Sequence, residues 1–261
     1  MRFFYGTLPD QFCDLYKPDG ISRPPVVILI HGGYWKDSHC LTSYATYQLI
    51  PLLLAKGVAV WNVEYRRMPA EGENTTALWP AVFSDIARAV DFLQQVAPGA
   101  GLDLRAPATV GHSAGGTLAL WAAYRHTITS DSPLYKAAPL TIAKTLSIAG
   151  ILDLQHSEDL CQPQQIHRLL GGAPSQLAKR YQSSNPDTLF DRKVVTFLYH
   201  GGADNTVSVA QVKRFAVKHP EVSRVIINED ADHFSMLPQT ENYNAAHWME
   251  LDALLTDMLA S

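Results

Sequence analysis

Short apolar runs rich in β-branched residues recur along the chain, and the stretches between them repeat their apolar positions at helical spacing. Pro24-Pro25 opens Val26-Val27-Ile28-Leu29-Ile30, a continuous run without polar alternation. Such a run suits a strand buried on both faces of a parallel sheet. Val58-Ala59-Val60-Trp61-Asn62-Val63 is a second run of this kind, after Gly57 stops a helix read over 44–56. Further strands are read at 108–110, 145–150, 194–199 and 223–228. Residues 12–16 alternate loosely and end at Lys17-Pro18-Asp19-Gly20, a turn signal, which predicts an early edge strand.

Pro80 suits a first helical turn, and Val82, Ile86, Ala89, Val90 and Leu93 mark one face of the helix behind it. Residues 117–124 are a strongly apolar helix. Ser208 with Gln211 makes a capping box for a helix whose apolar face is Val209, Val212, Phe215 and Ala216. A closing helix over 244–259 places Trp248, Leu251, Leu254, Leu255 and Met258 at core spacing. Residues 68–77 read as a polar loop with Pro and Gly, and 98–107 as a connector. Strands therefore alternate with helices from Val26 onward. That order predicts an α/β fold with a mostly parallel central sheet and helices on both faces, as one domain over 1–261. Residues 151–191 hold short helical pieces (164–170 and 175–181) but no strand. They fall between two strands at their carboxyl side, where ligands enter open α/β sheets. The stretch reads as a small cap or lid, with a plain surface crossover as the alternative.

Composition narrows the partners more than the fold. The 261 residues are 47% hydrophobic, enough for a sizeable core, and the net charge of −4 gives no reason to expect nucleic acid or an anionic membrane. Cys13, Cys40 and Cys161 are odd in number, widely spaced and free of any Cys-x-x-Cys pair, which argues against disulfides or a zinc site and suits a reducing cytosol. No apolar leader stands at the N-terminus, and no apolar run approaches the ~20 residues of a membrane helix. The expectation is a cytoplasmic protein acting on a small molecule, without cofactor or metal. A homodimer is compatible with the chain, and nothing in the sequence fixes the oligomeric state.

Candidate chemistry centres on Gly111-His112-Ser113-Ala114-Gly115-Gly116, where a β-branched strand runs into Gly-x-Ser-x-Gly and an apolar helix follows. This is the pattern of a nucleophile elbow, a sharp strand-to-helix turn that exposes a serine Oγ above small neighbours. A dinucleotide site is excluded because Ser113 stands where the second glycine would admit a pyrophosphate, and no Gly-Lys-Ser/Thr follows to make a P-loop. A serine hydroxyl needs a base oriented by an acid, and on this fold class they follow in the order Ser, Asp or Glu, His. Asp204 ends the next-to-last strand and His233 follows the last one, both on the loops that share Ser113's face of the sheet. Asp153 is the rival acid. Asp232 adjoins His233 too closely to fold back onto its ring, and His200 and His247 are weaker bases. His112 reads as satisfying local hydrogen bonds.

His31-Gly32-Gly33-Tyr34-Trp35 follows the first buried strand directly. Glycines there let backbone N–H groups approach a developing oxyanion, so Gly33, Tyr34 and Ala114 are the candidate donors; a plain tight turn is the alternative. His31 reads as bracing the loop. Metal-ligand spacing of the His-Glu-x-x-His kind is absent, His156 with Glu158 is a polar loop pair, and His167 reads as solvated.

Taken together these motifs resemble the α/β-hydrolase fold, and within it the hormone-sensitive-lipase-like esterases and the kynurenine formamidases. His-Gly-Gly-x-Trp in place of His-Gly-Gly-Gly, together with Val63-Glu64-Tyr65-Arg66, is similar to the formamidase version. The resemblance covers nearly the whole chain. It implies Ser113 as nucleophile, Asp204 as acid and His233 as base. It also implies hydrolysis of an N-formyl arylamine such as N-formylkynurenine through an acyl-enzyme, with Tyr34 and Trp35 walling the aromatic leaving group. A carboxylesterase for small acyl esters uses the same machinery and is the alternative; a non-catalytic ligand-binding relative is the remote one. No arginine is assigned to a substrate carboxylate, and Arg66 and Arg67 stand as alternatives between that role and a structural one.

Overall fold

Apolar runs at the centre of the chain become the middle of a twisted sheet. The structure, a computed structural model, describes residues 1–69 and 78–261, so the polar loop read over 68–77 lies outside the described residues from 70 onward. The strands are β1 (Arg2–Phe4), β2 (Phe12–Tyr16), β3 (Pro25–Ile30), β4 (Ala59–Val63), β5 (Asp103–His112), β6 (Lys144–Ile148), β7 (Val195–Gly201) and β8 (Arg224–Asn228). Their order across the sheet is β1-β2-β4-β3-β5-β6-β7-β8, with β2 antiparallel to both neighbours and the pairs from β4 to β8 parallel. Helices are α1 (Leu49–Ala55), α2 (Ala81–Ala100), α3 (Ala114–Tyr124), α4 (Gln164–Leu170), α5 (Ala178–Ser184), α6 (Pro186–Leu189), α7 (Ala210–Lys218) and α8 (Ala245–Ala260).

Successive side chains of a strand point to opposite faces, so an unbroken apolar run needs cover on both sides. β3 shows this directly. Val27 and Leu29 pack with Leu49, Leu53, Leu251 and Leu254 of α1 and α8, whereas Ile28 and Ile30 pack with α2 and α3 through Phe83, Ile86 and Leu118. The order reverses at β3, whose chain continues to β4 on one side while β5 lies on the other. A crevice opens at such a switch point, above the strand carboxyl ends, and Ser113 leaves β5 there. Among the described residues no helix is long and apolar enough to cross a membrane.

Several expected details differ for identifiable reasons. The edge strand is β1, three residues with exposed Arg2 and Phe4, so β2 lies one place inside. The helix read over 44–56 begins as a 3₁₀ turn at Ala45–Gln48 and becomes α-helical only in α1. β5 starts at Asp103, inside the expected connector, because Asp103 pairs with Pro25 before the register shifts at Val27. The capping box does not close. Ser208 Oγ accepts from Ala210 N–H, but Gln211 is drawn into the core, where its Oε1 accepts from Leu152 and Asp153 N–H and its Nε2 donates to Asp159. That buried amide clamps the start of the 151–191 stretch, which carries α4, α5 and α6. In α8, His247 takes the buried position and Trp248 is half-exposed.

Candidate active site

The elbow is a consequence of close backbone approach. A Cβ added at Gly115 would stand 2.2 Å from the Ile30 carbonyl oxygen, and one at Gly111 would stand 2.1 Å from the Gly115 oxygen. Only glycine lets α3 begin that near the ends of β3 and β5. Ser113 adopts φ 57° and ψ −127°, a conformation that costs a non-glycine residue about 1–3 kcal/mol. Its N–H donates to the Ile148 carbonyl at 2.8 Å, and Thr117 N–H returns to its own carbonyl at 3.1 Å, so the surroundings hold it there. Gly115→Ala should therefore lower the unfolding free energy measured in urea by the upper end of the overpacking cost, about 3 kcal/mol, and abolish turnover with it; unchanged stability would refute the packing account.

Across the crevice, His233 Nδ1–H donates to Asp204 Oδ2 at 2.6 Å, and both side chains are almost fully buried. Asp204 Oδ1 accepts the N–H groups of Thr206 and Val207, each at 2.8 Å. Burial alone would raise the Asp204 carboxyl; the His233 hydrogen bond and charge, with the Val207 N–H, hold it below the ordinary carboxylate range. His233 Nε2 has no hydrogen-bond partner among the described residues, and Ser113 is 2% exposed on the neighbouring loop. Nucleophile–base hydrogen bonds are often long before substrate arrives.

The rivals are all engaged elsewhere. Asp153 Oδ1 accepts from Asn185 Nδ2 and Gln155 N–H at the start of the 151–191 stretch. Asp232 accepts the Phe234 and Ser235 N–H groups, an Asx turn that shapes the His233 loop. His200 Nε2–H donates to the Val207 carbonyl, and burial lowers its pKa. His247 Nδ1 meets Ser235 Oγ at 2.9 Å, beneath the same loop. His112 spends both nitrogens: Nδ1 accepts from the Tyr44 hydroxyl at 2.8 Å and Nε2–H donates to the His233 carbonyl at 2.7 Å. Complete burial holds it neutral, its pKa well below the ordinary value. The residue preceding the serine thus anchors the backbone of His233. Tyr44 is the member of this set that sequence reasoning missed, since a helix-entry tyrosine carries no motif.

The loop after β3 lies against the elbow, a Cβ at Gly32 standing 2.6 Å from the His112 carbonyl oxygen. Gly33, Tyr34 and Trp35 follow with φ of 104°, 52° and 58°. Among the described residues neither the Gly33 nor the Tyr34 N–H meets an acceptor, and Ala114 opens α3, where N–H groups lack an intrahelical partner. His31 is the brace of this loop. Its Nε2 meets Glu64 Oε1 at 2.9 Å, its ring stacks on Tyr65 at 4.4 Å, and Tyr65 donates to its carbonyl. Glu64 also accepts from the Leu41 and Tyr65 N–H groups; burial opposes its charge, but His31 and Arg67 keep its pKa below the usual value. The spacing of Glu64 and Tyr65 after a neighbouring strand is the signal that could have revealed this brace.

One expectation for substrate contact is corrected. Trp35 is fully buried against the α2–α3 side of the sheet and offers a ligand no surface. The Tyr34 phenol donates to the Thr206 carbonyl at 3.0 Å beside Cys161 Sγ, which ties this loop to the Asp204 loop. The two arginines are structural. Arg66 makes a bidentate pair with buried Asp85, and Arg67 binds Asp10, Glu64 and the Tyr65 carbonyl. Among the described residues no three His, Cys, Asp or Glu side chains cluster as metal ligands. A cavity of about 630 Å³ lies between the α5–α6 region and residues 127–133 and includes neither Ser113, Asp204 nor His233.

Known proteins give this geometry a context. The chain is 26% identical over 209 residues to a probable carboxylic ester hydrolase, LipM, of Mycobacterium tuberculosis; the match covers 77% of this chain and 46% of LipM, so the chain spans about half the length of that curated relative. A bifunctional GH43-CE protein of Bacteroides eggerthii superposes with a TM-score of 0.78 at 23% identity, over 98% of this chain and 38% of that one. A propionate-bound esterase, Est2, of Thermogutta terrifontis superposes with a TM-score of 0.74 at 17% identity, over 100% of this chain and 93% of that one. These likenesses identify the α/β-hydrolase fold. Residues 13–218 match the BD-FAE family model, and the chain belongs to the BD-FAE family.

Proposed function

We propose that the chain is a serine carboxylesterase acting on esters of small acyl groups. What supports this reading above all is the 2.6 Å Asp204–His233 hydrogen bond between the loops that follow β7 and β8, at the same end of the sheet as the elbow serine. Ser113 Oγ attacks the ester carbonyl while His233 Nε2 takes its proton, and Gly33, Tyr34 and Ala114 N–H groups stabilise the oxyanion. The tetrahedral adduct collapses, the C–O bond to the alcohol breaks, and His233 returns the proton to the departing oxygen. Water then repeats the sequence on the acyl-enzyme, releasing the acid and restoring Ser113.

Cleavage of an N-formyl arylamine is the second reading, favoured by the His31-Gly32-Gly33-Tyr34-Trp35 sequence. The ester reading stands ahead of it because Trp35 is sealed away from a leaving group and Arg66 and Arg67 are paired. Steady-state hydrolysis of ethyl acetate, an aryl acetate and N-formylkynurenine, with Ser113→Ala as blank, separates the two. We expect kcat/KM of about 10⁴ M⁻¹s⁻¹ or more on the better ester, and slower formamide cleavage. The reverse order would make the protein a formamidase, and silence on all three would make it a ligand-binding relative.

A further inference from the structure

The turn after β3, the elbow and the loop of the base meet at one side chain that no motif marks. Tyr44 is 5% exposed, and a Cβ at Gly32 would stand 2.5 Å from its hydroxyl oxygen, so the oxyanion loop lies directly on it. The same hydroxyl donates to His112 Nδ1 at 2.8 Å, and Phe234, next to His233, packs edge-on to its ring at 6.3 Å. We infer that Tyr44 is a positioning residue for the reaction just proposed, on which this inference rests. Its hydroxyl holds the His112 ring, and that ring holds the main chain of the base.

The direction of each hydrogen bond is forced. The His233 carbonyl, 2.7 Å from His112 Nε2, can only accept, so Nε2 bears the proton. Burial keeps the ring neutral, and a neutral imidazole has one N–H, which leaves Nδ1 an acceptor. Tyr44 supplies the donor it needs. Burial raises the pKa of the phenol, the Ser113 side chain pulls the other way, and the hydroxyl keeps its proton. Without that hydroxyl, Nδ1 becomes a buried acceptor with no partner. The ring then swings toward water or another donor, and the Nε2–H bond to the base is stretched or lost. His233 and Ser113 must be aligned for proton transfer, a geometry that matters in the transition state and little in substrate binding.

The test is steady-state ester hydrolysis by wild type, Tyr44→Phe, His112→Leu and the double variant, beside NMR of the His112 ring nitrogens and the exchange of their proton. Phenylalanine keeps the ring and its contacts with His39 and Phe234, so Tyr44→Phe should stay folded. Its kcat should fall by about tenfold to a hundredfold with KM within about twofold, the pattern of misplaced catalytic groups, and the Nε2–H should exchange faster than in wild type. His112→Leu should lose a similar factor. Because the two residues act through one chain of bonds, the double variant should fall no further than His112→Leu. Losses that multiply in the double variant, a Tyr44→Phe kcat within about twofold of wild type, or a His112 proton found on Nδ1 would each overturn the assignment. Absence of ester turnover in wild type would remove the esterase reading, and the ring N–H would then decide by itself whether Tyr44 holds His112.

Discussion

Ser113→Ala lowers ester turnover by about 10⁶, the loss that follows removal of a serine nucleophile when oxyanion donors and binding survive, and leaves the melting temperature near that of wild type. Alanine keeps the Cβ, so the strained backbone at φ 57° is retained along with the surrounding hydrogen bonds. Ser113→Gly separates the two roles of the position. It is equally inactive, yet glycine adopts positive φ without penalty, so thermal unfolding should shift upward by about 1 kcal/mol of relieved strain, offset in part by the freedom glycine gives the unfolded chain. A glycine variant no more stable than alanine would mean that the elbow carries no usable strain, and an active alanine variant would displace Ser113 as nucleophile.

The second large effect is at the acid. In Asp204→Asn the amide oxygen still accepts the Thr206 and Val207 N–H groups, which leaves an NH₂ facing His233. Nδ1 must then accept rather than donate, its proton moves to Nε2, and the base is blocked where it has to act. A loss of about 10⁴ in kcat is the expected result, with Asp153→Asn within about twofold of wild type because Asp153 is bound to Asn185 and Gln155. Full loss in Asp153→Asn with activity retained in Asp204→Asn would reverse the assignment of the acid. The same carboxylate gives a pH signature. Its folded-state pKa lies below the ordinary value near 3.9, so its contribution to stability is complete above that value and disappears as pH falls through the lower folded-state one.

The buried runs were legible because a parallel sheet demands apolar side chains on both faces, and β3, β4 and β7 have no polar alternation to confuse the period. β1 escaped for the opposite reason: three residues at an edge, two of them exposed, bury too little to leave a pattern. The elbow and its partners could be read from the order of residues and the ends of strands. The supports could not. Gln211 has the spacing of a capping residue but satisfies two backbone N–H groups 58 and 59 positions away, and local spacing cannot anticipate such a partner. Trp35 shows the same limit, since one left-handed turn decides whether an indole faces a ligand or the core. His112 and Tyr44 brace the backbone of His233 through contacts that exist only once β5, the turn at Tyr44 and the His233 loop have met.

The parallel order of β5, β6, β7 and β8 has a consequence for how the protein comes into being. During synthesis Ser113 and its elbow leave the ribosome while Asp204 and His233 are still untranslated. An alcohol side chain without a base is a poor nucleophile, so the nascent chain is chemically quiet. The base and its partner reach the elbow only once β7 has paired with β6 and β8 with β7.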